Sequence, residues 1–254
     1  MKKLKIGIIG VGRLGYEHAC NIANRVPGSE LVAIADANFD RAKQVAEELG
    51  VTAVYNDPKA LCADPNVEAV AIITNTASHV EMIKIAMDAG KHVFCEKPLA
   101  DTVEKCKEAE AIIAAHPELT FMLGFMRRYD HSYQVAKKKM ENGDIGDVIL
   151  VRCYSQDPIS IIEGTLEYAP RSGGQFIDMS IHDFDLIRWL TGSEVKELWA
   201  TGGCYEFKQY KDWDDGDNVS GLMKMENDAM AFFFAGRAAA HGSHVETEIV
   251  GTRG

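Results

Sequence analysis

Short apolar runs alternate with helical patterns along the first 125 residues of the chain. The apolar runs are rich in Val, Ile and Ala at successive positions, which is typical of strands covered on both faces of a sheet. These predicted strands span residues 4–10, 31–36, 69–73, 91–95 and 120–124. The helical pattern predicts helices at 39–49, after Asn38 as a candidate cap, and at 80–89, each followed by a glycine. Strand–helix alternation of this kind predicts a parallel sheet with helices on both faces.

The pattern changes after residue 125. A predicted helix at 132–141 is followed by a strand at 148–154, and an amphipathic helix spans 178–190. The remaining apolar runs predict strands, joined by short turns typical of antiparallel pairing, at 194–201, 219–225, 230–236 and 244–250. We therefore predict an α/β chain with two domains, 1–125 and 126–254, the second an α+β domain on a mainly antiparallel open sheet. Because the chain ends in a strand that runs into a turn, we expect the second domain to be incomplete at its C-terminus.

Composition and charge narrow the classes of partner. The chain has 254 residues and a formal net charge of −11, which argues against nucleic acid and anionic membranes, since both are negatively charged. The six cysteines are scattered without metal-type spacing, which favours reduced thiols over a disulfide framework. The apolar run near the N-terminus is too short for a signal peptide, and no run reaches transmembrane length. We expect a cytoplasmic protein.

A glycine-rich motif joins the first predicted strand to a helix. Gly10-Val11-Gly12-Arg13-Leu14-Gly15 has the spacing GxGxxG. Gly10 permits the tight turn, Gly12 the approach of a pyrophosphate, and Gly15 the close packing of helix on strand. Asp36 ends the second predicted strand 21 residues after Gly15, where a carboxylate accepts ribose hydroxyls and repels a 2′-phosphate. The motif predicts an NAD-binding Rossmann domain at 1–125. The alternative is a glycine-rich turn with an unrelated acidic residue.

Two further stretches carry candidate catalytic residues. Glu96-Lys97-Pro98 follows a predicted strand, where open α/β sheets bind ligands, and Asp178 and His182 are spaced i, i+4 on the predicted helix. Oxidation of an alcohol needs a base that exchanges a proton near neutral pH, and histidine suits that role. The ammonium group of Lys97 can stabilise the developing alkoxide, and Asp178 can orient the imidazole or contact substrate hydroxyls.

Other roles are open for these residues on spacing alone. A single histidine on a helix is commonly structural, and a lysine beside a proline is commonly a solvated loop residue. Asp178, His182 and Asp185 also have the i, i+4, i+7 spacing of a divalent-metal site. Spacing alone leaves the catalytic and the structural roles of these residues open, and we expect no metal.

The combination of these motifs resembles the glucose–fructose oxidoreductase/inositol dehydrogenase/rhizopine-catabolism (Gfo/Idh/MocA) family. The resemblance rests on Gly10–Gly15, Glu96-Lys97-Pro98 and the run from Gly173 through Asp178 and His182, and it spans nearly the whole chain. It implies a Rossmann domain followed by a domain with an open, mainly antiparallel sheet. It also implies a catalytic triad of Lys97, Asp178 and His182, with His182 as acid/base.

The resemblance extends to other candidate site residues. It implies that the segment after the strand at 69–73 lines the cofactor, that Glu96 lies near the nicotinamide ribose, and that a segment after the strand at 120–124 borders the nicotinamide and the substrate. The residues implied in these two segments are Thr74, Asn75, Thr76, His79, Met126 and Arg127. Asp157 is a candidate polyol-binding residue. Members of the family commonly form homodimers or homotetramers through the sheet of the second domain. Phe232, Phe233 and Phe234 lie in a predicted strand of this sheet, and two roles are open for them: they could cover the interface, or they could be core residues.

The sequence most resembles the inositol 2-dehydrogenases within this family, on residues 125–130 and 173–190. We therefore predict that the protein oxidises a secondary hydroxyl of a cyclic polyol, myo- or scyllo-inositol, with NAD as the hydride acceptor. One alternative is a sugar (aldopyranose) dehydrogenase of the same family, which would use the same triad. The other is a non-catalytic, NAD-sensing regulator on the same scaffold; the presence of all three triad residues counts against it.

Overall fold

The structure, a computed structural model, describes residues 2–254 and divides into two compact units. The first unit ends at Gly124 and the second begins at Phe125. Each unit has its own sheet, and the first unit has two apolar cores while the second has one among the described residues. None of the helices in the described part of the chain is long and apolar enough to cross a membrane.

The first unit contains a six-stranded sheet in which every neighbouring pair is parallel. Its strands are β1 (Leu4–Ile9), β2 (Ser29–Ala35), β3 (Ala53–Tyr55), β4 (Ala69–Ile72), β5 (His92–Cys95) and β6 (Phe121–Leu123). Their spatial order is β3-β2-β1-β4-β5-β6. The predicted strands are confirmed to within two residues at their ends, whereas β3 is too short to show a pattern in the sequence.

Five helices cover both faces of this sheet: α1 (Arg13–Asn24), α2 (Phe39–Leu49), α3 (Pro58–Ala63), α4 (His79–Asp88) and α5 (Val103–Ala114). Successive buried residues of β1 belong to different cores, Ile8 to one and Ile9 to the other, as a sheet buried on both faces requires. The predicted start of α2 is confirmed, because the Asn38 side chain accepts the N–H of Arg41 at 3.1 Å. Gly50 ends the helix with a φ of +71°.

The second unit contains a five-stranded mixed sheet in the order β11-β7-β10-β9-β8. Its strands are β7 (Val148–Pro158), β8 (Val195–Gly203), β9 (Asn218–Met225), β10 (Met230–Ala239) and β11 (His244–Gly251). Only the pair of β7 with β10 is parallel among the four pairs that the structure describes in this sheet. The predicted fold class, a Rossmann domain plus a domain with a mainly antiparallel sheet, is therefore confirmed.

Four helices accompany the second sheet: α6 (His131–Glu141), α7 (Ile162–Tyr168), α8 (Gln175–Asp178) and α9 (Ile181–Thr191). α9 packs on one face of the sheet, where its residue Leu186 joins a core that includes Phe233. The neighbours Phe232 and Phe234 point to the opposite face and are only half buried. Of the three phenylalanines whose role the sequence left open, Phe233 is thus a core residue, and Phe232 and Phe234 lie on the other face of the sheet.

The prediction of one continuous helix at 178–190 is wrong. α8 ends at Asp178, and α9 begins at Ile181. Both Met179 and Ser180 donate their backbone N–H to the carbonyl oxygen of Gln175, at 3.0 Å each, so the helical ladder of α8 stops there. A new ladder starts from Ser180. Asp178 and His182 therefore lie on two short helices rather than on one face of a single helix.

Candidate cofactor and catalytic sites

The glycine-rich turn connects β1 to α1, and its glycines meet different constraints. Gly10 has a φ of +89°, and a Cβ placed on it would lie 2.5 Å from the carbonyl oxygen of Ile73. A Cβ on Gly15 would collide with the carbonyl oxygen of Gly10, so α1 can pack on the turn only through a glycine. A Cβ on Gly12 would meet no atom within 4 Å. Gly12 thus borders open space at the N-terminus of α1, where a pyrophosphate can approach the backbone.

Asp36 follows β2 and is fixed against the glycine-rich turn. Its Oδ2 accepts the backbone N–H of Val11 at 2.8 Å, and its Oδ1 accepts that of Asn38 at 2.8 Å. Each carboxylate oxygen has a further lone pair, so the group can still accept hydroxyls of a ribose. A 2′-phosphate would be repelled by the same charge, which favours NAD over NADP.

A cavity of about 400 Å³ lies at this edge of the first sheet. Its lining includes Gly10, Gly12, Asp36, Thr74 and Asn75. A dinucleotide requires three features that are present here: open space over a glycine, the N-terminus of a helix, which has twelve residues, and a carboxylate at the end of the next strand. The residues present therefore fit NAD. The structure brings these five predicted cofactor residues together around one cavity.

The remaining cofactor candidates near this cavity differ in exposure. Arg13 and Leu14 form the first turn of α1, and both side chains are exposed. Thr76 is buried in a 3₁₀ turn (Thr76–Ser78) just before α4. Contact of their side chains with NAD stays a prediction.

His79 connects two loops of the first unit. The residue is 1% exposed, its Nδ1 lies 2.8 Å from the carbonyl oxygen of Pro98, and its Nε2 lies 3.3 Å from that of Thr74. The imidazole thus ties the loop after β4 to the loop that carries Lys97. A direct contact with the cofactor, which the resemblance implies, stays a prediction.

Glu96 is held in place by a residue that the sequence analysis missed. Its Oε1 lies 2.8 Å from Nε2 of His18, on α1, and its Oε2 accepts the backbone N–H of Lys97 at 3.0 Å. The Lys97–Pro98 peptide bond is cis. The only sequence signal for His18 is its place one turn after Gly15 on the glycine-rich helix. Through Glu96, the first helix of the cofactor site is linked to the loop that carries the candidate catalytic lysine.

In the second unit, Asp178 is the last residue of α8 and His182 is the second residue of α9. The ring of Phe125 meets the imidazole of His182 edge-on, with ring centroids 6.5 Å apart. Oδ2 of Asp178 lies 3.2 Å from Nη1 of Arg237, a residue of β10. The break between the two helices thus places the Asp178 carboxylate, with its arginine partner, at the end of α8 and the His182 imidazole at the start of α9.

Arg127 is buried in an ion pair. Its Nη1 donates to Oδ1 of Asp183 at 2.7 Å, and its Nη2 donates to the hydroxyl of Ser155 at 2.8 Å. The Ser155 hydroxyl donates to the same Oδ1 at 2.6 Å. Burial raises the pKa of Asp183 above its usual range, although the charge of Arg127 opposes this shift. The resemblance implies a substrate contact for Arg127; the structure places its guanidinium against the residue that follows His182.

The adjacent Arg128 makes a second pair with α9. Its Nε and Nη2 donate to the two carboxylate oxygens of Asp185 at 2.8 and 2.6 Å. Asp185, one of the two carboxylates that the metal alternative requires, is therefore engaged by a guanidinium. No group of three or more metal-ligating side chains is placed to hold an ion among residues 2–254. No local pattern in the sequence points to Arg128, because its partner is 57 residues away.

The last two candidate residues lie at the ends of their elements. Met126 begins a 3₁₀ turn (Met126–Tyr129), and its side chain is 66% exposed. Asp157 was expected after a strand at 148–154, but β7 continues to Pro158, so Asp157 is the second-last residue of that strand. Their contacts with nicotinamide and substrate stay predictions.

Two family profiles match the chain. One, described as an oxidoreductase family with an NAD-binding Rossmann fold (GFO_IDH_MocA), matches residues 4–125. The other, the GFO/IDH/MocA C-terminal domain, matches residues 133–254. Together they cover most of the chain, one in each unit.

Individual relatives are similar along the whole chain. The scyllo-inositol 2-dehydrogenase (NAD⁺) of Bacillus subtilis is 35% identical over 254 residues, which covers 99% of this chain and 72% of that enzyme. The myo-inositol 2-dehydrogenase of Thermotoga maritima is 36% identical over 258 residues, covering 99% of this chain and 74% of the relative. Among solved structures, scyllo-inositol dehydrogenase from Lactobacillus casei with bound NAD(H) and scyllo-inositol has a TM-score of 0.94 and 42% identity, covering 100% of this chain and 75% of that chain.

The geometry of the first unit and these similarities lead to one assignment. The cavity beside Gly12 and Asp36 fits NAD, and both family profiles belong to one family. The chain therefore belongs to the GFO/IDH/MocA oxidoreductase family and is an NAD-dependent dehydrogenase of the inositol dehydrogenase type.

Proposed function

We propose that the protein oxidises a secondary hydroxyl of myo- or scyllo-inositol. The observation that carries this proposal is the 42% identity, over the full length of this chain, with a dehydrogenase solved with both NAD(H) and scyllo-inositol. The cofactor cavity of the first unit supports it, because the residues that line it fit NAD.

The chemistry is divided between the cofactor and the chain. The cavity lined by Gly10, Gly12 and Asp36 would hold NAD, which would supply the hydride acceptor. His182 takes the hydroxyl proton at an imidazole nitrogen, and a histidine exchanges protons near neutral pH. Lys97 donates a hydrogen bond from Nζ to the same oxygen and stabilises its developing negative charge. Asp178 orients the substrate hydroxyls or the imidazole.

The test is the appearance of NADH absorbance with a panel of substrates. We expect turnover with myo-inositol or scyllo-inositol and little with glucose or xylose. Turnover with the aldoses alone would show that the substrate is a sugar rather than a polyol. Tight binding of NAD without turnover on any member of the panel would favour a regulator on this scaffold.

Two substitutions test the roles of the triad. Lys97→Met and His182→Gln should each lower kcat by at least about 100-fold, because stabilisation of the developing oxyanion and general acid–base catalysis each contribute factors of this size. His241→Gln is the matched control, since His241 is exposed in the turn between β10 and β11. Near-normal turnover in both triad variants would contradict the mechanism even if inositol is the substrate.

We also propose that a second copy of the chain covers the open face of the second sheet. Cross-strand partners on this face are Trp199, Leu222, Phe232 and Arg152, one from each of four neighbouring strands. Trp199 is 64% exposed and Leu222 is 55% exposed. Exposed apolar side chains of this size on one face mark an interaction surface, and the resemblance implies a homodimer or a homotetramer.

We also propose that the protein is cytoplasmic. All six cysteines are free thiols, three of them buried. Burial raises the pKa of Cys62 to about 11, so this thiol stays protonated and unreactive at neutral pH. Unpaired cysteines are typical of proteins in a reducing compartment.

A further inference from the structure

A buried arginine of the second sheet contacts the candidate catalytic aspartate. Arg237 in β10 is 1% exposed and ranks among the largest fully buried side chains of the described residues. Its Nη1 lies 3.2 Å from Oδ2 of Asp178, and its Nη2 lies 3.9 Å from Oδ2 of Asp215. The guanidinium also lies over the ring of Tyr210, 5.6 Å from the centroid. A buried cation is costly unless carboxylates compensate it, so this placement depends on both aspartates.

Asp215 holds the other end of α8. The helix has four residues and begins after Gly174, which has no side chain to cap it. Oδ1 of Asp215 accepts the N–H of Gln175, the first residue of α8, at 2.9 Å, and that of Gly216 at 2.8 Å. Asp215 therefore replaces the missing cap from a distant part of the chain. One guanidinium thus faces the carboxylates at both ends of the helix that presents Asp178.

The loop that supplies Asp215 is itself fixed. Burial alone would raise the pKa of Asp217, but its carboxylate accepts three backbone N–H groups, which together lower that pKa below its usual range. The three donors are Tyr205, Glu206 and Phe207, at 2.9, 2.7 and 2.8 Å. The backbone N–H of Arg237 donates to the carbonyl oxygen of Asp217 at 2.9 Å. Arg237 is thereby attached to the same loop through its backbone and faces it through its side chain.

We infer that Arg237 is a positioning residue, which sets the place and orientation of the Asp178 carboxylate through α8. The inference rests on the proposed function for the role of Asp178 in the reaction, and on the contacts above for the positioning itself. A guanidinium suits this task because it is a planar fork that can face two carboxylates at once, whereas an ammonium group is a single point charge.

The test uses the full chain and three variants. Arg237→Met removes the charge and keeps an unbranched side chain, and Arg237→Lys keeps the charge without the fork. Arg188→Met is the matched control, because Arg188 is half exposed on α9 and pairs with Glu194 at the surface. Three measurements are made on each: steady-state kcat and KM with inositol, the dissociation constant for NAD, and amide hydrogen exchange of the segment at residues 173–180, which needs no turnover.

For Arg237→Met we expect kcat to fall by about 100-fold with a smaller change in KM, since a displacement of about 1 Å at a reacting group costs rates of that order. Exchange at 173–180 should become faster, while the dissociation constant for NAD stays unchanged. Arg237→Lys should recover part of kcat and of the protection, and Arg188→Met should match the wild type in both.

Unchanged exchange at 173–180 in Arg237→Met would overturn the inference, whatever the enzyme turns over. Faster exchange with normal kcat would also overturn it, because α8 would then not need this arginine to present Asp178. If the wild type oxidises no inositol, the proposed function fails, and the exchange measurement still decides whether Arg237 positions α8. If Arg237→Met does not fold, Arg237→Lys decides: faster exchange at 173–180 and lower kcat than wild type support the inference, and wild-type values overturn it.

Discussion

Arg127 and Asp183 form a buried ion pair, with Nη1 2.7 Å from Oδ1, directly beside the candidate catalytic histidine in sequence. The side chain of Asp183 is fully buried, and that of Arg127 is 9% exposed. The pair joins the 3₁₀ turn at Met126–Tyr129 to the first turn of α9, which carries His182. The ion pair therefore holds the start of α9 against this turn.

Removing one partner of this pair should be strongly destabilising. We expect Arg127→Met to lower the stability of the second unit by about 3–5 kcal/mol, because it leaves an uncompensated buried carboxylate. Denaturant unfolding followed by tryptophan fluorescence measures the change, since Trp189, Trp199 and Trp213 all belong to the second unit. The double variant Arg127→Met/Asp183→Leu is the control and should recover much of the loss. A double variant no more stable than Arg127→Met would show that the buried charge is not the cause.

The two glycines Gly12 and Gly15 should respond differently to the same substitution. A Cβ on Gly12 meets nothing within 4 Å, whereas one on Gly15 collides with the carbonyl oxygen of Gly10. Gly12→Ala should therefore fold normally and weaken NAD binding by at least about tenfold, because the methyl group occupies the space that the pyrophosphate needs. Gly15→Ala should lower the melting temperature, since the backbone of α1 must move away from the turn.

Fluorescence titration with NAD and thermal unfolding separate the two effects. Each variant serves as the control for the other, because both add one methyl group to the same motif. Equal loss of melting temperature in both would contradict the open space found over Gly12.

The carboxylate of Asp217 should make stability depend on pH. Three backbone N–H groups lower its pKa in the folded chain, so it contributes stability above the unfolded value of about 3.9, and this contribution is lost as the pH falls through the folded value. Asp217→Asn should therefore lower stability at pH 7 by about 1.5–3 kcal/mol, the range for hydrogen bonds to a charged group. The difference from wild type should shrink in acid.

Unfolding midpoints at pH 7 and near pH 3 measure this dependence. Asp212→Asn is a suitable control, since Asp212 is an exposed residue of the same loop. An equal deficit for Asp217→Asn at both pH values would show that the charge of the carboxylate is not what the loop requires.

Trp199 should contribute to association of two copies. It is 64% exposed on β8 and shares the open face of the sheet with Leu222 and Phe232. Trp199→Lys replaces this exposed apolar side chain by a charged one and should reduce the molar mass in solution, measured by light scattering during size-exclusion chromatography. Val103→Lys is the matched control, because Val103 is also 64% exposed but lies in the first unit. A wild type that is monomeric at every concentration would contradict the proposal.

Local sequence determined much of the fold of the first unit. α2 begins after Asn38 and ends at Gly50, as predicted, because an N-cap side chain and a left-handed glycine act on backbone groups within three or four residues. The strand–glycine–helix motif with Asp36 was enough to place the cofactor cavity, since the motif and the sheet topology leave little choice of location. Burial on both faces of the parallel sheet followed from successive apolar positions in the same way.

Tertiary structure decided what connects distant parts of the chain. The break between Asp178 and Ile181 could not be deduced from an amphipathic pattern, because the partners at the two ends of α8, Asp215 and Arg237, come from a distant loop and strand. The pairing of Arg127 with Asp183 spans 56 residues. No local pattern encodes such a pair, since hydrogen bonds and charge compensation in a core depend on which elements the folded sheet brings together. The sequence by itself therefore determined the family, the cofactor and the candidate catalytic residues, and the tertiary structure decided which side chains hold them in place.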